Sequence, residues 1–194
     1  MSRQGVQYAG EVEFLEVMIT SPDGQSVRLD ANNDITITEI NVFEDMFRHA
    51  LTGSLIITDT KEMINKFPIV GQERLTMKIK TPSPELKKED LFEGEIFNFL
   101  QRRFVINKVQ SRDAIASGAQ VYELKFISEH ALINSTKKMS KSFVNSKSNI
   151  GEMVEDLLTN ELSIPKDKVF VEPTLGSRSI LMQNINPHSF IQNL

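Results

Sequence analysis

Along most of its first two thirds the chain repeats one pattern: short segments of alternating apolar and polar residues, separated by proline, glycine or small polar residues. A period of two places successive side chains on opposite faces of an extended strand, whereas a helix, with its period of 3.6, would scatter the same residues around its surface. In Glu11 to Ile19 the apolar residues Val12, Phe14, Leu15, Val17 and Ile19 mostly alternate with polar ones, and Asp34 to Ile40 (DITITEI) and Arg74 to Lys80 alternate again. Leu55 to Thr58 is a β-branched run, and Gly94 to Phe99, Phe104 to Gln110 and Gln120 to Ser128 look like three more strands. Short strands at such regular intervals predict an antiparallel barrel or sandwich.

The punctuation between strands is equally specific. Ser21-Pro22-Asp23-Gly24 supplies a turn, with glycine free to take a positive φ, and predicts a hairpin returning near Ser26 to Leu29. Between Asn41 and Leu51 the period changes: Val42, Phe43, Met46, Phe47 and Ala50 fall at helical spacing and predict a short helical crossover. Such a group serves as a core plug, but aromatic residues and methionine are also what interfaces favour, so Phe43, Met46 and Phe47 are candidate subunit-interface residues. Asp59 or Thr60 can cap a short helix through Met63, Ile64 and Phe67, closed by Pro68. Thr81 to Asp90 (TPSPELKKED), with its prolines and charge, predicts a loop, as does Ser111 to Gly118.

After Ser128 the pattern shifts. Glu129 to Thr136 predicts a brief helix, and the basic, polar Lys137 to Ser148 a connection. Asn149 with Glu152 three positions on forms a reciprocal capping pattern, followed by the apolar stripe Ile150, Met153, Val154, Leu157, Leu158 and Leu162. Two short strands are expected at Lys168 to Glu172 and Arg178 to Met182. Asn186-Pro187 then begins a helix carrying Phe190, Ile191 and Leu194 that has a start signal and no stop. The expected class is therefore mainly β with short helices: an antiparallel β-barrel-like domain over residues 1–136, then over 137–194 a connection and the incomplete start of an α+β second domain.

Composition narrows the chemistry. A chain of 194 residues can bury roughly 70% of its unfolded surface without a staple. It has no cysteine, which excludes disulfides, thiolate catalysis and zinc sites built on sulfur. Met1 to Gly10 lacks the basic-then-apolar pattern of a secretory signal, and no apolar run approaches the roughly 18 residues of a membrane helix, so a soluble protein is expected. With 22 Lys and Arg against 26 Asp and Glu the net charge is −4, which gives no long-range attraction for nucleic acid.

No catalytic, cofactor-binding or metal-ligating constellation emerges. His49, His130 and His188 are far apart in sequence and none has a partner at helical ligand spacing, so each reads as an ordinary surface or partly buried residue. There is no nucleophile elbow and no phosphate-binding glycine loop. The pairs Glu11 with Glu13 and Glu93 with Glu95 could set two carboxylates on one strand face, the raw material of glycoside hydrolysis, but alternating acids normally form a strand's solvated face. Lys137, Lys138, Lys141 and Lys147, with Phe143 among them, are the one basic concentration, and with a single aromatic and no arginine they read as a solvated connection.

Three stretches carry a family resemblance: Ile37 to Asp59 (ITEINVFEDMFRHALTGSLIITD) followed by Phe67 to Glu73 (FPIVGQE); Phe104 to Ser128 with its YELKF segment and Ser128-Glu129; and Ser140 to Phe143 leading into Ile150 to Leu158, with Asn186 to Ile191 (NPHSFI) after it. Their order resembles the baseplate central hub proteins of contractile-tailed phages and related injection machines. The resemblance implies a structural, non-enzymatic protein of the virion tail baseplate, made in the host cytoplasm. It implies a homotrimer in which paired barrel domains form a pseudo-sixfold ring adapting a trimeric spike to a sixfold tail tube. Tail spike, tube and baseplate proteins would be its partners, with no cofactor and no direct contact with nucleic acid or membrane. A stand-alone β-barrel module binding carbohydrate or peptide is the alternative.

Overall fold

The computed structural model describes residues 13–30, 34–60, 62–80, 96–98, 103–115, 118–144 and 149–194. The expected loop from Thr81 to Asp90, the carboxylates Glu11, Glu93 and Glu95, and Lys147 lie outside the described residues. The chain divides into two compact units, Met1–Glu44 with Leu51–Ser128, and Asp45–Ala50 with Glu129–Leu194. The helix at Glu129–Thr136, expected to close the first domain at residue 136, thus belongs with the second unit.

The first unit is an antiparallel sheet of β1 (Glu13–Thr20), β2 (Ser26–Arg28), β3 (Ile35–Phe43), β4 (Thr52–Asp59), β5 (Arg74–Lys80), β6 (Ile96–Asn98), β7 (Phe104–Ala114) and β8 (Gln120–Ser128). Its order is β2-β1-β5-β7-β8-β4-β3, with β6 paired to the far end of β5. The mainly β class is as expected, but the sheet is not a closed barrel. β2 and β3 are its outer strands and do not pair among the described residues; a three-residue β2 presents too few backbone groups to seal a seam.

Alternation divides β8 into faces as expected. In β8, Tyr122, Leu124, Phe126 and Ser128 are buried while the residues between them are half-buried. Val17 and Ile19 of β1, Leu55 and Ile57 of β4, Leu75 and Met77 of β5, and Phe104 and Ile106 of β7 join Tyr122, Leu124 and Phe126 in one apolar cluster. For residues of so many strands to meet in one cluster, the sheet must curl with its apolar face inward. The hairpin forms as expected, with Gly24 at φ +91° and its amide donating to the Ser21 carbonyl at 3.0 Å.

The helical crossover expected between Asn41 and Leu51 is absent. β3 runs on through Phe43, pairing Val42 with Gly53 and Phe43 with Thr52, and the connection behind it is a turn. Ladder hydrogen bonds claim Val42 and Phe43, leaving too short a segment to nucleate a helix. β7 likewise extends past Gln110, taking up part of the loop expected from Ser111.

The second unit holds α2 (Glu129–Thr136), β9 (Met139–Phe143), α3 (Ile150–Asp156), β10 (Ile180–Ile185) and α4 (Pro187–Ile191). The capping pattern at α3 is complete: Asn149 Oδ1 accepts the Glu152 amide at 2.8 Å, and Glu152 Oε2 accepts the Asn149 amide at 3.3 Å. A π-helical turn, Leu157–Glu161, prolongs α3, and Met153, Leu157 and Leu162 of the stripe are buried. Leu157, Met182 and Phe190 form the core of this unit, with Met139, Phe143 and Ile185 packed against it.

Two expectations fail here. Lys137 to Ser148, expected as a connection, contains β9, whose Met139, Lys141 and Phe143 turn inward and which pairs with β10 from Ile180↔Phe143 to Ile185↔Met139. Lys168 to Glu172, expected as a strand, joins no strand ladder among the described residues: Lys168 closes a 3-10 turn, and Phe170 is left 89% exposed.

Candidate functional site

Several residues of the motif stretches prove to hold the first unit's backbone in place. Asp59, fully buried at the end of β4, accepts the Met63 amide at the start of α1 (Met63–Lys66) and the Tyr122 hydroxyl at 3.1 Å. Burial, and after it the Asp59 charge, push the Tyr122 phenol well above its usual range, so this hydroxyl stays protonated and donates. Glu73, also fully buried, turns its carboxylate back onto the FPIVGQE turn and accepts the amides of Val70, Gly71 and Gln72 at 2.7, 3.0 and 3.1 Å. Gly53 stands opposite Phe126 in the ladder, and a β-carbon there would collide with the Phe126 ring and the Asn41 carbonyl. Both buried carboxylates are therefore committed to structural hydrogen bonds.

The candidate interface residues are all exposed: Phe43 59%, Met46 88% and Phe47 82%. They plug no core. Phe43 ends β3 in the first unit, while Met46 and Phe47 lie in the connecting turn that belongs to the second.

The basic cluster is reorganised. Lys137 donates to Glu161 Oε2 at 2.7 Å, and Lys141 reaches Glu161 Oε1 at 2.9 Å and Asp156 Oδ2 at 2.5 Å. Burial alone would lower the Lys141 pKa, but its bonds to Asp156 and Glu161 outweigh it and leave the value raised; the lysines in turn lower that of Glu161. Phe143 stacks on Phe190 with ring centroids 6.0 Å apart. Lys137 and Lys141 are thus engaged with carboxylates, and Phe143 with packing.

The histidines, far apart in sequence, come together in the structure. His49 on the connecting turn, His130 in α2 and His188 in α4 meet within the second unit. The His49 and His188 rings stack, centroids 4.1 Å apart and planes 24° apart, and His130 meets His188 edge-on at 6.0 Å. His130 Nε2 lies 2.8 Å from the His49 carbonyl, so it donates a proton there. Burial first, then the charge of His130, lowers the His49 pKa; burial, then His49 and His130, lower that of His188 to about 4. Stacked rings aim their nitrogen lone pairs along near-parallel planes, which do not converge on one ion, and among the described residues no group of His, Asp and Glu is arranged to hold a metal. No linear spacing could have signalled this cluster, because turn, helix and helix each contribute one ring.

No family model and no curated protein matches the sequence. Among solved structures, this chain is similar to the E. coli c3393 protein, described as a component of the type VI secretion system with structural similarity to the T4 bacteriophage tail proteins gp27 and gp5. The TM-score is 0.46 at 8% identity, over 93% of this chain and 38% of that one, so this chain spans well under half the length of that protein. No described helix is long and apolar enough to cross a membrane.

Proposed function

We propose that this chain is a structural subunit of the central hub in the baseplate of a contractile tail or related injection machine, where it helps adapt a trimeric spike to a sixfold tube. It performs no reaction. The observation that carries the reading is the use made of the resemblance's own motif residues: Gly53, Asp59, Glu73, Tyr122 and Phe126 are spent on strand pairing, turn closure and core packing. Buried polar residues that hold backbone amides are what a scaffold needs, and this use of them supports the reading.

Association through broad surfaces is supported by the apolar side chains that each unit leaves in water, Phe43 and Val70 in the first, Met46, Phe47, Phe170 and Leu175 in the second. Exposed aromatic residues and methionine are among the types that interfaces favour.

The test is mass-resolved chromatography of the protein alone and mixed with spike and tube proteins of the same particle. A trimer, or stable complexes with threefold stoichiometry, is expected. A protein that stays monomeric well above micromolar concentration and binds neither partner overturns the hub reading and leaves a solitary binding module in its place.

A further inference from the structure

Every histidine of the chain lies in one cluster, and the ring of the innermost makes no hydrogen bond among the described residues. His188 is 8% exposed, its Nε2 is buried and makes no hydrogen bond among the described residues, and its neighbours are the His49 ring at 4.1 Å and the His130 ring at 6.0 Å. Charging His188 puts a positive charge into a partly desolvated space, with no carboxylate bonded to it among the described residues.

We propose that the cluster of His49, His130 and His188 is an acid-sensitive latch, which closes the connecting turn Asp45–Ala50 and α4 onto α2 when the His188 ring is neutral and releases them when it charges. Charged groups also stand on the surrounding elements. On the connecting turn Asp45 pairs with Arg48 at 3.4 Å. On α2 the acid is Glu129, in the first turn; just past that helix Lys137 binds Glu161, which sits on the π-helical turn and is also held by Lys141 of β9. β10 carries no charged residue, and α4 none besides His188. The electrostatic influences on His188 come from the other two imidazoles.

The direction follows from which state holds the proton. The folded His188 releases its proton near pH 4, whereas an unfolded histidine does so near 6.5, so the unfolded state binds more protons throughout that window. Stability is complete above about pH 6.5 and is lost as pH falls toward 4. The acid-labile part is the second unit.

Two measurements on the whole chain test this. The first is an NMR titration of the imidazole resonances: His188 should remain neutral down to about pH 5, and amide exchange at Asp45–Ala50 and α4 should accelerate on acidification before that of β4 and β8. The second follows the melting temperatures of the wild type and His188→Gln from pH 7 to pH 5. Over that range the wild type should fall by roughly 5 °C or more in excess of any fall in His188→Gln. A His188 that titrates near 6.5, or equal exchange in both units, overturns the latch even if His188→Gln fails to fold. A rise in melting temperature with added Zn²⁺ that His188→Gln abolishes would overturn it too, as the mark of a metal site.

Discussion

Asn134 Oδ1 accepts the backbone amide of His188 at 2.9 Å, although the two residues are 54 positions apart. The sequence points to Asn186 as the cap of α4, and Asn186 does take the extended backbone of a cap residue. Its side chain, however, donates instead to the carbonyls of Asn134 and Lys137, at 2.5 and 2.9 Å. The end of α2 and the start of α4 thus satisfy one another's unpaired groups. Replacing Asn134 by Ala should cost about 1 to 2 kcal/mol. Thermal melting checks this, and an unchanged midpoint would show that water caps α4 equally well.

Glu73→Ala strips the acceptor from three consecutive amides at Val70, Gly71 and Gln72. A loss of about 3 kcal/mol is expected, from the desolvation of several donors left without a partner. Glu73→Gln, which keeps one oxygen but turns an NH2 toward the amides, should fall between alanine and wild type. Urea denaturation that ranked Gln with wild type would mean one acceptor oxygen suffices.

Gly53→Ala places a methyl group against the Phe126 ring and the Asn41 carbonyl. The ring could swing away, but the carbonyl belongs to the β3–β4 ladder, so the strands must part. Destabilisation of about 3 kcal/mol or more is expected. A double variant with Phe126→Leu should recover only part of it, and full recovery would place the whole strain in the ring.

Leu157→Asp buries a carboxylate at a fully buried position of the second core. The cost should be on the order of 3 kcal/mol or more. Amide exchange should show the loss in the second unit first; an unchanged melting temperature would place this side chain outside the core.

Met46→Ser with Phe47→Ser removes two side chains that are 88% and 82% exposed. Stability should change by under about 1 kcal/mol in thermal melting, while any self-association or binding to tail proteins weakens. Unaltered association would exclude this turn from the interface.

What the sequence determined by itself was local. Sequence pattern located most strands of the first unit, because alternation in a segment such as Gln120 to Ser128 has one structural meaning once a face is buried; Asn149 and Glu152 announced their capping box, because both partners lie within one helical turn. Gly53, Asp59 and Glu73 could be singled out as motif residues, but not explained, since Phe126 and Tyr122 reach two of them only through the β4–β8 register. The same spacing rule misread Val42 to Ala50 as a helix, where pairing with β4 outweighed a few coincident apolar positions. The tertiary structure alone decided that Asn134 would cap α4, that Lys141 would turn inward to Asp156 and Glu161, and that all three histidines would meet. Each of those is a contact between elements brought together by burying apolar faces. Hydrophobic association has no directional code along the chain, so the polar groups it carries into contact leave no mark in the spacing of residues.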